Sequence, residues 1–210
     1  MKTDHPDRLH EIVVASGNRG KLAELEEAFG PLGMTLRAQG ELGVESAEET
    51  APTFMENALI KARHAARATG LPALADDSGL VVHALGGQPG IHSARFAGPD
   101  ASDDDNNRKL LDALQNVPAG RRAAFFHCSL VLLRHADDPA PLIAEGRWHG
   151  QILEQPRGER GFGYDPLFVD PATGTSAAEL TLSEKGLVSH RGRALAALIN
   201  FLKNPAGQAP

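Results

Sequence analysis

The chain has 210 residues, 41% of them hydrophobic and 23% charged, a composition typical of one globular domain and not of a disordered, collagen-like or mucin-like chain. Its 21 lysines and arginines against 27 aspartates and glutamates give a net charge of -6, which argues against nucleic acid as a partner but allows a local basic pocket for a small anion. No apolar run reaches bilayer length and residues 1–7 lack a signal-peptide core, so we expect no membrane span. Cys128 is the only cysteine, so we expect no intrachain disulfide and a protein of the reducing cytoplasm.

The start of the chain predicts a strand, a loop, a helix and a second strand. Residues 11–15 form an apolar run that predicts a buried strand. Residues 21–29 carry apolar side chains at helical spacing, and Gly30 with Pro31 should end that helix. Residues 34–38 predict the next strand. This order of elements is typical of α/β proteins.

The next part of the chain is acidic and irregular over residues 40–52. Thr53 then predicts the N-cap of a helix over residues 54–69, with Glu56 at the capping-box position. Residues 73–82 predict two strands joined by a sharp polar turn at residues 76–79.

The second half continues the alternation of strands and helices. Ser102 and the aspartates after it predict a helix N-terminus, because acidic groups there favour the helix dipole. That helix should run to about residue 117, and a core-facing helix is predicted over residues 191–203, after a capping box at 181–184. Strands are predicted at residues 123–134 and 167–169, with a strand or hairpin at 142–153. Glycine-rich loops are predicted at residues 86–90 and 157–165. We expect a single domain of two lobes with flexible termini at residues 1–8 and 204–210.

Residues 16–21, with the sequence SGNRGK, place a glycine turn between a strand and a helix. Free backbone amides and the helix dipole favour phosphate at such a position, and Lys21 adds a positive charge. The spacing differs from that of a Walker A loop. The alternative is an ordinary turn with a solvated lysine, which would contribute little to stability.

Two adjacent carboxylates, Asp76 and Asp77, follow an apolar strand and are costly to bury unless a cation lies nearby. Magnesium prefers one or two carboxylates together with waters and substrate phosphates, so the pair can hold a metal and orient a water. The alternative is a turn with solvated acids. On the preceding helix, Lys61 shares a face with Asn57, and it either touches phosphate or belongs to a solvated face.

Two later segments suit a nucleotide. Phe162 lies between glycines, which favours base stacking, and Asp165 follows as an acceptor for ring N–H groups. Lys185 and Arg191 lie beside a helix start and suit a polyphosphate. The alternatives are that Phe162 is an aromatic packed within its loop, and that Lys185 and Arg191 are surface cations at a helix boundary. Together the patterns predict a site for a nucleoside triphosphate and magnesium.

Ordered segments along most of the chain resemble the Ham1/RdgB family, whose members are pyrophosphatases of non-standard purine nucleoside triphosphates such as inosine and xanthosine triphosphate. The resemblance runs from residue 12 to about residue 202. It is carried by SGNRGK (16–21), TFMENA (53–58) with Lys61 and Ala62, ADDSGL (75–80), GGQPGIHSAR (86–95), GFGYDP (161–166) and SHRG (189–192).

The resemblance implies an elongated mixed-sheet α/β fold with two lobes, a central substrate cleft and assembly as a homodimer. It implies hydrolysis of ITP, dITP and XTP to the monophosphate and pyrophosphate with Mg²⁺, which removes deaminated purines from the nucleotide pool. A Maf-like pyrophosphatase, which prefers other bases, should lack the SHRG segment. A nucleotide-binding module without catalysis would not need the two aspartates or a metal.

The resemblance also implies roles for individual residues. Asp77 is the expected catalytic acid, and Asp77 with Glu48 are the expected metal ligands, with Glu49 and Asp76 as close alternatives. Lys21, Lys61 and Lys185 should hold the triphosphate and Phe162 should stack on the purine. The full set of expected substrate contacts is Ser16, Gly17, Asn18, Arg19, Gly20, Lys21, Lys61, Ser78, Phe162, Gly163, Tyr164, Asp165, Lys185, His190 and Arg191.

Overall fold

A computed structural model describes residues 9–204, which form one mixed sheet flanked by helices. The predicted flexibility of residues 1–8 and 205–210 lies outside the described residues. Asn204 belongs to the described part, and its backbone N–H donates to the carbonyl of Asn200 at the end of the last helix. Within residues 9–204, no helix has the length and apolar character that crossing a bilayer requires.

The strands are β1 (Glu11–Val14), β2 (Thr35–Ala38), β3 (Ala73–Val82), β4 (Ala123–Leu133), β5 (Leu142–Ile152), β6 (Phe168–Asp170) and β7 (Thr175–Ser176). The helices are α1 (Arg19–Phe29), α2 (Phe54–Thr69), α3 (Asp103–Ala113), α4 (Leu182–Val188) and α5 (His190–Lys203). The sheet has seven strands in the order β2-β1-β3-β4-β5-β6-β7. Strand β1 is parallel to β2 and β3, and the remaining pairs are antiparallel. The predicted mixed α/β class is confirmed, whereas the division into two lobes stays a prediction.

The helices lie on both faces of the sheet because successive strand residues point to opposite sides. Ile12 and Val14 of β1 pack with side chains of α1 and α5, while Val13 between them packs with the alanines of α2. A third cluster includes Leu110 of α3 and Trp148 of β5, near the other end of the sheet. Strand β3 therefore runs between helices on either side, which decides where each of its polar residues points.

The prediction of a sharp turn at residues 76–79 is wrong. Strand β3 continues through this segment, whose residues pair in register with residues 127–130 of β4. The polar residues resemble a turn in the sequence, but both carboxylates meet cations from other elements and can therefore be buried within a sheet. Gly79 permits a close approach at this point, because a Cβ there would overlap the carbonyl of Gly90 and the hydroxyl of Ser93.

Most other predicted elements are confirmed with small changes at their ends. Helix α1 begins two residues earlier than predicted, and residues 142–152 form one strand rather than a hairpin. Helix α3 ends at Ala113 instead of near residue 117, and the N–H of Leu114 at its end is shared among the carbonyls of Leu110, Leu111 and Asp112. The two-residue strand β7 carried no signal in the sequence.

Candidate active site

The two adjacent aspartates of β3 lie on opposite faces of the sheet and meet different partners. Asp76 points toward α1 and α5, where Lys21 and Arg191 lie. Asp77 points toward α2, where Lys61 lies. Both carboxylates are buried. The strand thus separates two ionic clusters that the sequence places side by side.

Donors surround the carboxylate of Asp76. Its Oδ1 accepts from Lys21 Nζ at 2.5 Å and from the Ser78 hydroxyl at 2.8 Å. Its Oδ2 accepts from Arg191 Nε at 2.6 Å and from the Cys128 thiol at 3.2 Å. Burial alone would raise the pKa of Asp76, but Arg191 and Lys21 hold it well below its usual value. Asp76 is therefore a charged carboxylate with both oxygens occupied.

Glu24 of α1 extends this cluster and was not predicted. It is buried, accepts from Arg191 Nη1 through Oε2, and lies 3.2 Å from Lys185 Nζ through Oε1. Lys185 Nζ also donates to Asp165 at 2.5 Å. The sequence carried no local signal for Glu24, because the cations that pair with it, Lys185 and Arg191, come from the far end of the chain.

The carboxylate of Asp77 is only partly satisfied. Its Oδ1 accepts from Lys61 Nζ at 2.6 Å. Its Oδ2 is buried and has no hydrogen-bond partner among residues 9–204. Burial raises the pKa of Asp77 to about 6, although Lys61 favours the charged form. Asp77 therefore carries an open acceptor oxygen and can take up a proton near neutral pH.

Glu49, and not Glu48, lies beside this aspartate. Glu49 accepts from Lys61 Nζ at 2.8 Å and from Arg95 Nη1 at 2.9 Å. Burial would raise the pKa of Glu49, but Lys61 and Arg95 lower it to about 2. Glu48 is exposed and lines a separate groove with Arg63. Glu48 as a metal ligand stays a prediction, whereas its alternative Glu49 shares Lys61 with Asp77.

The donor set on this side suits a divalent cation that keeps part of its water shell. No group of three or more metal-binding side chains occurs within the described range 9–204. Asp77 offers a free buried oxygen, and the Glu49 carboxylate shares Lys61 with it. Magnesium in phosphate-handling sites is held by one or two carboxylates, waters and substrate phosphates, so these residues fit Mg²⁺.

Beyond Asp76, a cavity of about 100 Å³ collects most of the predicted substrate contacts. It is lined, among others, by Asn18, Lys21, Ser78, Phe162, Gly163, Tyr164, Asp165, Lys185, His190 and Arg191. The walls come from the loop before α1, from β3 and β4, from the start of α3, from the loop after β5 and from α4 and α5. The tertiary structure thus brings together segments that are far apart in the sequence.

The loop over residues 161–165 is held partly by its own side chains and partly by bonds to other segments. Asp165 Oδ2 accepts from the backbone N–H of Phe162 at 2.9 Å, and a Cβ at Gly161 would overlap that carboxylate. The Tyr164 hydroxyl donates to the carbonyl of Ser93 at 2.8 Å. Lys185 Nζ lies 4.6 Å from the centre of the Phe162 ring. The loop therefore presents one aromatic ring beside a cation at the cavity.

His190 and Arg191 are neighbours with different surroundings. His190 stacks on Phe126 with ring centres 4.8 Å apart, and its Nδ1 is buried without a partner in the described part of the chain. Burial and the charge of Arg191 hold the pKa of His190 well below its usual value, so the ring is neutral. The donors of Arg191 go to Asp76, Glu24 and Ser78. Arg191 therefore binds the protein's own carboxylates.

The remaining predicted contacts lie around the start of α1. Asn18 caps this helix by accepting from the N–H of Lys21 at 3.0 Å, and the N–H of Asn18 donates to the Ser16 hydroxyl at 3.2 Å. Gly17 and Arg19 are exposed. A Cβ at Gly20 would overlap the Phe162 ring, so a glycine is required where the aromatic loop meets the helix.

The chain is similar to known proteins of one family. The sequence model of the Ham1 family matches residues 12–201. The chain is 60% identical to the dITP/XTP pyrophosphatase of Yersinia pseudotuberculosis over 196 residues, which are 93% of this chain and 100% of that protein. It is 54% identical to the dITP/XTP pyrophosphatase of Escherichia coli K12 over the same shares. The solved structure of a HAM1 protein from Coxiella burnetii is similar with a TM-score of 0.85 and 50% identity, covering 92% of this chain and 98% of that one.

Proposed function

The chain belongs to the Ham1 family, and on this premise we propose that it is a hydrolase that converts ITP, dITP and XTP to the nucleoside monophosphate and pyrophosphate. The observation that carries the proposal is the buried, unpartnered oxygen of Asp77 beside Lys61, on the strand that also borders the cavity containing Phe162. An activated water and a nucleotide site are the two parts that this reaction needs.

Asp77 orients the attacking water and accepts its proton. The water oxygen forms a bond to the α-phosphorus, and the bond from that phosphorus to the oxygen bridging to the β-phosphate breaks. Pyrophosphate leaves with the electron pair of that bond. A carboxyl group with a pKa of about 6 suits this role, because it is largely deprotonated at neutral pH and still basic enough to take a proton.

Lys21 and Lys61 hold the triphosphate on either side of the strand. Without substrate, these two lysines pair with Asp76 and Asp77 respectively. Asp77 and Glu49 would hold Mg²⁺, which when bound supplies neutralisation of the phosphate charge. The spacing of the lysines across β3 therefore sets where the phosphate chain lies relative to the proton acceptor.

The cavity next to Asp76 takes the purine, with Phe162 as the stacking surface. Inosine and xanthosine carry an oxygen at position 6, where adenine carries an amino group. A site that donates to this oxygen leaves a buried donor unpaired with ATP, and such mismatches discriminate strongly. Lys185 and His190 are polar groups of the cavity wall that supply donors or acceptors for the ring edge.

The proposal includes a homodimer, magnesium dependence and work in the cytoplasm on free nucleotides rather than on nucleic acid. The family resemblance supports the dimer. Sedimentation at micromolar concentration should give about twice the chain mass of 22.3 kDa. A fully active monomer would contradict this part of the proposal and leave the reaction untouched.

One assay tests the reaction. Pyrophosphate release is measured with ITP, XTP, GTP, ATP and dUTP, each with and without Mg²⁺. We expect magnesium-dependent release from ITP and XTP and much slower release from GTP and ATP. Binding of ITP without release would indicate a nucleotide-binding module, and a preference for dUTP would indicate a Maf-like enzyme.

A further inference from the structure

Helix α3 lies outside the motifs that carry the family resemblance, yet its first two turns contact the aromatic loop. The backbone N–H of Gly163 donates to Asp103 Oδ2 at 2.7 Å. The carbonyl of Gly163 accepts from Asn107 Nδ2 at 2.8 Å. The same amide group of Asn107 also donates to the carbonyl of Asp103 at 2.9 Å. Both backbone polar groups of Gly163 are therefore bound by side chains of one helix.

These bonds fix the backbone on either side of the ring-bearing residue. The N–H of Gly163 belongs to the peptide unit that joins it to Phe162, and the carbonyl belongs to the unit that joins it to Tyr164. Gly163 has a φ of 61°, in the left-handed region that favours glycine. The two bonds restrain the backbone directly after Phe162, which limits the directions that its ring can take.

We propose that Asp103 and Asn107 are positioning residues that hold Phe162 in place for the purine, an inference that rests on the proposed function of the cavity. The bond from Gly163 to Asp103 has an ionised acceptor, which makes it stronger than a neutral hydrogen bond. A ring held in place before the substrate arrives loses less conformational freedom on binding. The hydrogen bonds that join Gly163 to Asp103 and Asn107, called the clamp below, therefore act on base binding and leave the phosphate chemistry at Asp77 unchanged.

The start of α3 does not depend on the clamp. Ser102 caps the helix by accepting from the N–H of Asp105 at 3.1 Å, and the Asp105 carboxylate accepts from the N–H of Ser102 at 3.0 Å. Asp104 lies on the same turn, is exposed and has the same charge as Asp103. Asp104→Ala is therefore a matched control that changes the charge at the helix N-terminus and leaves the Gly163 contacts in place.

The clamp itself is measured by NMR as hydrogen exchange of the Gly163 amide in the protein without substrate. We expect exchange about tenfold faster in Asp103→Ala and unchanged in Asp104→Ala, since a hydrogen bond to a charged acceptor is lost only in the first variant. Equal exchange in both variants would overturn the clamp. This readout requires no catalytic activity, so it holds even if ITP is not the substrate.

The consequence for the substrate is measured by following IMP formation from ITP. In Asp103→Ala the KM should rise about tenfold with kcat nearly unchanged, and inhibition by added pyrophosphate should keep its strength, because pyrophosphate binds at the phosphate end. Asp103→Asn retains an acceptor oxygen, so its KM should lie between that of the wild type and that of Asp103→Ala. An equal rise of KM in Asp104→Ala, or weaker pyrophosphate inhibition in Asp103→Ala, would overturn the positioning role. Failure of the wild-type protein to hydrolyse ITP would instead contradict the proposed function.

Discussion

Each face of β3 buries one aspartate, and the two carboxylates differ in how many hydrogen-bond donors they meet. On the face toward α1 and α5, Asp76 accepts from Lys21, Arg191, Ser78 and Cys128, and no capacity is left for a substrate group. On the face toward α2, Asp77 accepts from Lys61 through one oxygen and keeps the other free. We therefore expect the number of donors that a buried carboxylate meets to decide whether it stabilises the fold or takes part in the reaction.

The pKa values of the two groups follow from this difference. Arg191 and Lys21 outweigh burial at Asp76 and hold its pKa well below the usual range. At Asp77 burial outweighs Lys61 and raises the pKa to about 6. Asp76 is therefore charged at neutral pH, whereas Asp77 can exchange a proton near it. The family resemblance predicts that Asp77 is the catalytic acid, and its unpartnered oxygen and raised pKa support that prediction.

The largest effect on activity is expected from Asp77→Asn, which keeps the size of the side chain and removes its charge and basicity. General-base help is worth about 10²–10⁴-fold, so ITP hydrolysis should fall at least about a hundredfold. The fold should persist, because Lys61 keeps its bonds to Glu49 and to the carbonyl of Asp76. Pyrophosphate release and Tm are measured together. Near-normal turnover would remove Asp77 from the reaction, and a collapsed Tm would make it structural.

Asp76→Asn should act mainly on stability. The substitution leaves Arg191 and Lys21 without their buried counter-charge, and breaking a buried ion pair by removing one partner costs about 3–5 kcal/mol. The measurement is the free energy of unfolding in urea, with the exposed Asp104→Asn as the control. An unchanged free energy would mean that the donor-rich face does not stabilise the fold, and the contrast between the two aspartates would disappear.

Lys21→Ala tests whether Lys21 both stabilises the fold and binds substrate phosphate. The sequence allowed a solvated lysine of little value to stability, but the side chain is 16% exposed and donates to the buried Asp76. Loss of a hydrogen bond to a charged group costs about 1.5–3 kcal/mol, so unfolding should become easier by that amount. The kcat/KM for ITP should fall as well, because a phosphate contact is lost. A fall in stability without any fall in kcat/KM would limit Lys21 to supporting Asp76.

The smallest effect is the pH dependence of stability without metal. The pKa of Asp77 is raised from 3.8 to about 6, so the stability it contributes is fully present below pH 3.8 and is lost as the pH rises through 6. Between pH 4.5 and 6 the wild type should lose up to about 1.4 kcal/mol per pH unit relative to Asp77→Asn. Asp76→Asn should show no such slope against the wild type, because Asp76 is charged in both folded and unfolded chains above about pH 4.5. Unfolding curves that stay parallel for Asp77→Asn and the wild type would contradict the raised pKa.

The sequence by itself determined the order of the main helices and strands and the family. Apolar periodicity and caps are local signals, so the extent of α2 after Thr53 and of β4 could be predicted closely. The family motifs predicted that Asp77 and the loop containing Phe162 belong to the site. Each motif is contiguous in the chain, so it can be recognised without the structure.

Only the tertiary structure decided which polar residues meet. Glu24 and Arg191 are 167 residues apart, and neither the continuity of β3 nor the contact of Glu49 with Lys61 follows from local pattern. A buried charge is stable only where an opposite charge or a donor is supplied, and here the suppliers come from other elements. The turn predicted at residues 76–79 became a strand because Lys21, Lys61 and Arg191 arrive from three helices to compensate its carboxylates.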